Sequence, residues 1–241
     1  MNPYVVKEKA RAVILSYKAS GKLIDLVESQ GIEIIFSKET DIDPRIADHP
    51  DLQIHPINHE TFVAARDCYD YYVQALEKYD KKVLLGGEIL GYDYPKDCLY
   101  NVARLDNYFI YNSKAIDKVL NRYLLCDGQS PIEVKQGYAK CMCICFDNFI
   151  ITNDRGIQRK LIENGLESYL VSEEGIGLDG FSSGFLGGSC GIIDNMKLLF
   201  TGDIRKLKEY NKLMDICSHK DIDIIYPDAD LVDLGSIIPI L

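Results

Sequence analysis

Three stretches of this chain are variants of one another: residues 105–112 (LDNYFIYN), 146–153 (FDNFIITN) and 193–200 (IDNMKLLF). In each, an apolar strand runs into Asp-Asn, a second apolar strand follows, and a helix-like stretch comes next. The pairs begin at Asp106, Asp147 and Asp194, spacings of 41 and 47 residues. Self-similarity at such a period constrains architecture more than any single motif, because each copy must be one supersecondary unit that buries its apolar face against its neighbours.

The clearest copy spans residues 138–173. CMCICF (141–146) is apolar on both faces and suits a strand buried on both sides. Asp147-Asn148 makes a tight turn, since both residue types tolerate a left-handed backbone, and 149–152 return as a strand. Asn153 and Asp154 are N-cap candidates, Ile157 and Leu161 form an i, i+4 apolar stripe, and Asn164-Gly165 is a helix stop. Residues 168–171 are a third strand. The same strand–strand–helix–strand order is traced through 99–104, 108–111, a helix with Ile116, Val119, Leu120 and Tyr123, and 132–134. It is traced again through 191–193, 197–200, a helix with Leu207, Tyr210, Leu213, Met214 and Cys217, and 223–226. A fainter copy has 52–57, 61–65, a helix with Tyr72, Leu76 and Tyr79, and 83–85. The first copy, 13–16, a helix with Leu23, Leu26 and Val27 closed by Gly31, and 32–36, lacks only its leading strand. The last apolar segment, 231–240, can supply it.

Five such ββαβ modules predict an α/β propeller with pseudo-fivefold symmetry: helices outside, strands around a channel, and no open sheet edge. A doubly wound sheet is the alternative, but it places single strands between helices, whereas pairs of strands precede most helices here. No Pro-, Gly- or Ser-rich linker interrupts residues 1–241, so one domain is expected.

The net charge of -10 repels phosphate backbones and anionic lipid, so neither nucleic acid nor a membrane is an expected partner. No apolar run reaches the roughly 18 residues of a spanning helix, and the N-terminal stretch lacks the apolar centre and cleavage site of a signal peptide. A cytoplasmic protein is expected, with its eight cysteines as reduced thiols. No cofactor is expected either, because GGSCG matches neither a phosphate loop nor GxGxxG. Cys141, Cys143 and Cys145 alternate as a core stripe would, and without a second Cys pair they predict no metal. Cys68, Cys126 and Cys217 read as helix packing, and His219 suits a helix C-terminus.

HPDLQIHPI (49–57), YNVARLDNYFIYN (100–112), VKQGYAKC (134–141), GFLGGSCG (184–191) and DLGSIIPIL (233–241) together resemble the pentein superfamily of guanidino-group-modifying enzymes, and within it a bacterial branch. The resemblance implies five ββαβ modules around a channel. It also implies a Cys thiolate that attacks a guanidinium carbon, a His as acid and base, and carboxylates that hold the guanidinium, as in deiminases, dimethylaminohydrolases and amidinotransferases. Two positions depart from that pattern. The family's His segment here is Gly137-Tyr138-Ala139-Lys140, and the closing strand, 233–241, has Gly235 and Ser236 but no Cys. A serine there needs a base to activate it.

Cys190, among Gly187, Gly188 and Gly191, is the candidate nucleophile, since bare N–H groups favour a thiolate; the alternative is a tight bend with Cys190 as filler. His55 is the candidate base beside Asp51, against a turn at 49–51 and a satisfied ring at 55. Asn101, Arg104, Lys140 and Asp203 are polar residues in apolar surroundings. They either bind a ligand, Arg104 and Lys140 holding a carboxylate, or form a salt-bridge belt. The expected function is that of a hydrolase or transferase on a small guanidino or amide compound. The alternative is a non-catalytic propeller that binds a small polar molecule.

Overall fold

Residues buried on both faces and residues buried on one face form different strands of the same sheet. The structure, a computed structural model, describes residues 2–241. It begins with β1 (Ala12–Leu15), α1 (Gly21–Ser29) and β2 (Glu33–Phe36). Then come a helical turn α2 (Pro50–Gln53), β3 (Ile54–Pro56), β4 (Thr61–Ala64), α3 (Tyr69–Glu77) and β5 (Lys82–Leu85). The next unit is β6 (Ala103–Leu105), β7 (Tyr108–Tyr111), α4 (Lys118–Cys126) and β8 (Ser130–Glu133). It is followed by β9 (Cys143–Cys145), β10 (Phe149–Thr152), α5 (Arg155–Glu163) and β11 (Glu167–Leu170). The last is β12 (Cys190–Asp194), β13 (Lys197–Phe200), α6 (Tyr210–His219) and β14 (Asp223–Ile225), before the final strand β15 (Ile238–Ile240).

The fold is α/β with five sheets of three strands each: β3-β4-β5, β6-β7-β8, β9-β10-β11, β12-β13-β14 and β15-β1-β2. In every sheet the first pair is antiparallel and the second parallel, the parallel step spanned by the helix. As the sequence predicts, the missing leading strand of the first copy comes from the other end of the chain: Ala12 pairs with Ile240 and Ile14 with Ile238.

Burial falls across each sheet. β3, β6, β9 and β15 are buried at every residue, whereas β5, β8, β11 and β14 expose much of their length. The leading strands are thus buried on both faces, even where they carry His55 or Arg104, and the trailing ones bring charged residues such as Lys82, Glu133, Glu167 and Asp223 to the surface. The helices cover the outer side through pairs such as Leu23 and Val27, Leu120 and Leu124, and Ile157 and Leu161. Ser20, Asp117 and Asp154 cap their first turns, each accepting backbone N–H bonds. Gly31 and Gly165 close α1 and α5 at φ +71° and +72°. No helix is long and apolar enough to cross a membrane among the described residues.

Several boundaries differ from the sequence-based expectation. Asp106-Asn107 and Asp147-Asn148 turn as predicted, between Leu105 and Tyr108 and between Phe146 and Phe149. In the third copy a register irregularity after Ile192 keeps Asp194 in the strand, and Asn195-Met196 makes the turn with Met196 at φ +52°. The strand expected at 52–57 starts only at Ile54, because Pro50 supplies the first helical position of α2. Cys141 lies outside β9, in the turn in which the Met142 N–H bonds Tyr138 O. The alternation of three cysteines is therefore true only of Cys143 and Cys145.

Adjacent leading strands meet closely where Ile237 N–H bonds Cys190 O at 3.1 Å. A Cβ added to Gly191 would stand 2.0 Å from Ile237 O. Gly191→Ala should accordingly lower unfolding free energy by about 1–3 kcal/mol or more. Gly21→Ala, with nothing within 4 Å, should leave it unchanged or slightly raised; urea unfolding of the two variants checks the contrast.

Candidate functional site

Pro50 and the turn before β9 set the site. α2 begins at His49, the N-cap, and carries Asp51 in its only turn. The Asp51 N–H bonds Gly235 O at 3.1 Å, which fixes this turn against the segment leading into β15. From the other side comes the turn at 138–143. There Asn101 holds Cys141 twice, accepting from its N–H at 3.0 Å and donating Nδ2–H to its sulfur at 3.0 Å. Ser236, at φ +70°, comes from the C-terminal segment.

These three segments meet in a buried polar cluster. Lys140 Nζ donates to Ser236 Oγ at 2.9 Å, and Ser236 Oγ donates to Asp51 Oδ2 at 2.5 Å. The same carboxylate oxygen accepts from Cys141 Sγ at 3.2 Å. Asp51 Oδ1 is buried with no hydrogen-bond partner. His49, Asp51 and Cys141 each present a donor atom, all within 4.8 Å of one another. Behind them Asp233 accepts from the N–H groups of Phe185 at 2.9 Å and Gly235 at 3.0 Å, and its Oδ1 lies 3.8 Å from His49 Nδ1. His49, Asp51, Cys141, Lys140, Asp233 and Ser236 are all buried.

A cavity of about 120 Å³ opens onto one side of the cluster. Its polar wall is His49, Cys141, Ser183 and Asp233; Tyr138, Phe181 and Phe185 make the aromatic wall. Tyr138 stacks with Tyr94 and tilts against Phe185, and its hydroxyl donates to Asp97. Burial, then Asp51, push the Cys141 thiol well above its ordinary range, so the resting sulfur is protonated. Burial raises Asp233, opposed by His49. Burial also works against the charge of Lys140, but neighbouring Cys145 and Asp51 outweigh it and hold the ammonium above its usual value. Burial followed by Asp97 raises Tyr138.

Of the residues expected from sequence, Asp51 and Lys140 meet through Ser236, and Asn101 stands behind Cys141. Cys190 opens β12, buried, its sulfur donating only to Leu186 O at 3.5 Å, and burial raises its pKa to about 12. Its glycines serve close backbone approach: a Cβ on Gly187 would meet Cys143 O at 2.2 Å, and one on Gly188 would meet Asp233 Oδ1 at 2.0 Å. His55 is buried in β3, where Nδ1 faces Tyr4 Oη at 3.2 Å and Tyr100 O at 3.1 Å. Burial, then Arg104, hold its pKa well below the usual imidazole value, so the ring is neutral. No hydrogen bond joins His55 to Cys190 or to Asp51.

Arg104 is buried, donates Nη1–H to Pro56 O and Ile57 O, and forms no salt bridge among the described residues. Arg104 and Lys140 therefore do not form a salt-bridge belt with protein carboxylates. Asp203 lies apart, capping the turn Ile204–Lys206 and pairing with Arg205 at 2.7 Å. Reasoning from sequence missed His49 as a site residue, took Cys141 for core, and did not single out Asp233. The only signals were Asp51 between His49 and His55, and Ser236 on the closing segment.

Removing the Asp51 carboxylate would leave the Lys140 ammonium buried without the countercharge that Ser236 relays. Asp51→Ala should cost about 3–5 kcal/mol of stability, measured by urea unfolding, with Ser236→Ala costing about 1–3 kcal/mol.

A family model described as "Family of unknown function (DUF6873)" matches residues 14–238. No curated protein sequence matches the chain. Solved structures do. The amidinotransferase of the saxitoxin biosynthetic pathway from Microseira wollei superposes with TM-score 0.59 at 11% identity, over 94% of this chain and 91% of that one. The inosamine-phosphate amidinotransferase of Streptomyces griseus gives 0.60 at 9% identity, over 100% and 96%. The Pseudomonas aeruginosa dimethylarginine dimethylaminohydrolase, as a Cys-to-Ser mutant with citrulline, gives 0.55 at 11% identity, over 91% and 92%. All three are penteins, and the chain shares their fold.

Proposed function

The chain belongs to the DUF6873 family, and we propose that it is a thiol-dependent hydrolase or transferase acting on a small guanidino or amide compound. One observation carries this: a thiol, an imidazole and a carboxylate lie within 4.8 Å of one another, and the thiol and imidazole form the wall of an aromatic-lined cavity. Cys141 takes the nucleophile's part that sequence assigned to Cys190, His49 takes that of His55, and Asp51 keeps its place. The fold supports the reading through neighbours whose names are those of guanidino-modifying enzymes. In the same reading the five sheets close into one ring, a single-domain propeller, with the cavity at the channel mouth.

The chemistry follows from the surroundings. Asp233 and Asp51 give the cluster negative potential, and Tyr138, Phe181 and Phe185 keep the cavity wall aromatic, so a guanidinium or amine head is drawn in. A cation beside Cys141 lowers the cost of the thiolate that burial and Asp51 impose. The sulfur loses its proton to His49 and bonds the guanidinium or amide carbon. The carbon–nitrogen bond then breaks, and the departing amine takes the proton back from His49, which Asp233 orients. Attack by water gives hydrolysis, and attack by a second amine gives transfer, each restoring the thiol.

A second reading is favoured by the tied side chains. Tyr138 is engaged by Asp97, Ser236 by Lys140 and Asp51, and the Cys141 thiol is held neutral. It is a propeller that binds the same cation without turnover. Incubation with arginine, methylated arginines, agmatine and simple amides separates the two. Catalysis releases ammonia or an amine, Cys141→Ala lowers the rate by about 10³-fold or more, and Cys190→Ala retains it. Ligand-induced rise in melting temperature with no release from any compound sinks the enzyme and supports the binder.

A further inference from the structure

His49, Asp51 and Cys141 differ in chemistry, yet all three offer the atoms that borderline-soft metal ions take. These are an imidazole nitrogen, a carboxylate oxygen and a thiolate sulfur. We propose that they form a binding site for one zinc-type divalent cation, whose remaining coordination position faces the cavity. This goes beyond the catalytic reading, and does not require it.

Four observations converge. The three donor atoms lie within 4.8 Å of one another, and the Cys141 Sγ to Asp51 Oδ2 separation is already 3.2 Å. Zinc–ligand bonds of about 2.0–2.3 Å place tetrahedral ligands roughly 3.3–3.7 Å apart, so a side-chain shift of about 1 Å by His49 completes the triangle. Asp51 Oδ1 is buried and partnerless, the kind of orphan acceptor that buried carboxylates rarely keep. The His49 ring makes no hydrogen bond among the described residues, and its Nδ1 faces Asp233 Oδ1 at 3.8 Å. That carboxylate is placed to orient the imidazole as outer carboxylates orient metal-bound histidines.

The charge also balances. Cys141 gives up its proton on binding, so its thiolate and the Asp51 and Asp233 carboxylates together meet the doubly charged ion and the Lys140 ammonium around a neutral imidazole. The Asn101 Nδ2–H already aimed at the sulfur at 3.0 Å stabilises the thiolate. Three protein ligands and an open position on a cavity of about 120 Å³ are the arrangement of a metal site that exchanges a water or a ligand atom rather than of a closed structural one. Because the metal takes the sulfur and imidazole assigned to catalysis, metal and covalent turnover exclude each other.

The test uses the full chain stripped with a chelator and titrated with Zn²⁺ against a chromophoric competitor. One equivalent binds with release of about one proton, and Co²⁺ in the same site shows a thiolate-to-metal charge-transfer band. Cys141→Ser and His49→Gln each weaken uptake by about 10–100-fold or more, and Cys190→Ser leaves it unchanged. No saturable uptake, uptake that survives Cys141→Ser, or a cobalt spectrum without the thiolate band overturns the site. The cobalt spectrum is taken on the unaltered chain, so a variant that fails to fold does not decide the matter. Zinc uptake with no turnover across the substrate panel supports the metal site and counts against catalysis. Turnover with no uptake does the reverse. Turnover that zinc blocks, and chelation restores, supports both.

Discussion

A lysine ammonium without access to water must be paired or it will not stay charged, and the centre of this protein is arranged around that requirement. Lys140 is buried, lies over the face of Tyr4 at 5.0 Å and reaches Asp51 only through the Ser236 hydroxyl. Residues 51, 140 and 236 belong to three different sheets' connections, so satisfying one charge brings together segments that have little else in common. Burying such an assembly stabilises less than an apolar core of equal volume would. What it does specify is geometry: Ser236 tolerates φ +70°, and the neighbouring glycines leave room for Asp233 and the backbone of Cys143. A residue held at positive φ against a charge network is a form of strain that concentrates at functional positions.

The chemistry is placed at the edge of that network rather than within it. Lys140, Ser236 and Asp51 are occupied with one another, whereas Cys141 and His49 turn toward the cavity. The division suits a site whose framework is rigid and whose reactive atoms are few. It also fits the two ligand types proposed for this one set of donors. On the proposed readings a guanidinium would occupy the space between the aromatic wall and the carboxylates, and a divalent ion that between the sulfur, nitrogen and oxygen themselves.

Much of the fold was legible because burial writes different patterns on the strands of one sheet. The leading strand, as in Cys143–Cys145, is apolar on both faces; the second is nearly so; the third is only partly buried. The repeated Asp-Asn turns set the register of two hairpins, and the stop signals at Gly31 and Gly165 ended two helices at the expected places. The unpaired first copy and the spare last segment correctly implied each other. The site was less legible, since no spacing in the sequence says that residue 51 will stand beside residues 141 and 236. The glycines around Cys190 do permit close approach, and what approaches them is backbone and Asp233. Cys141 shares the alternation of Cys143 and Cys145 in sequence, but it precedes the strand and sits in the turn before it.

The pairing of β1 with β15 joins residues at opposite ends of this chain. During synthesis, four sheets can assemble from neighbouring segments as they emerge, while β1 and β2 wait with an uncovered inner edge until the closing strand arrives. The same late segment delivers Ser236, so Lys140 and Asp51 have no intermediary until then. Loop closure over so long a separation is slow, and the segment that completes this sheet is also the one that completes the polar centre. A partly made chain can have most of its layers and still lack a formed site.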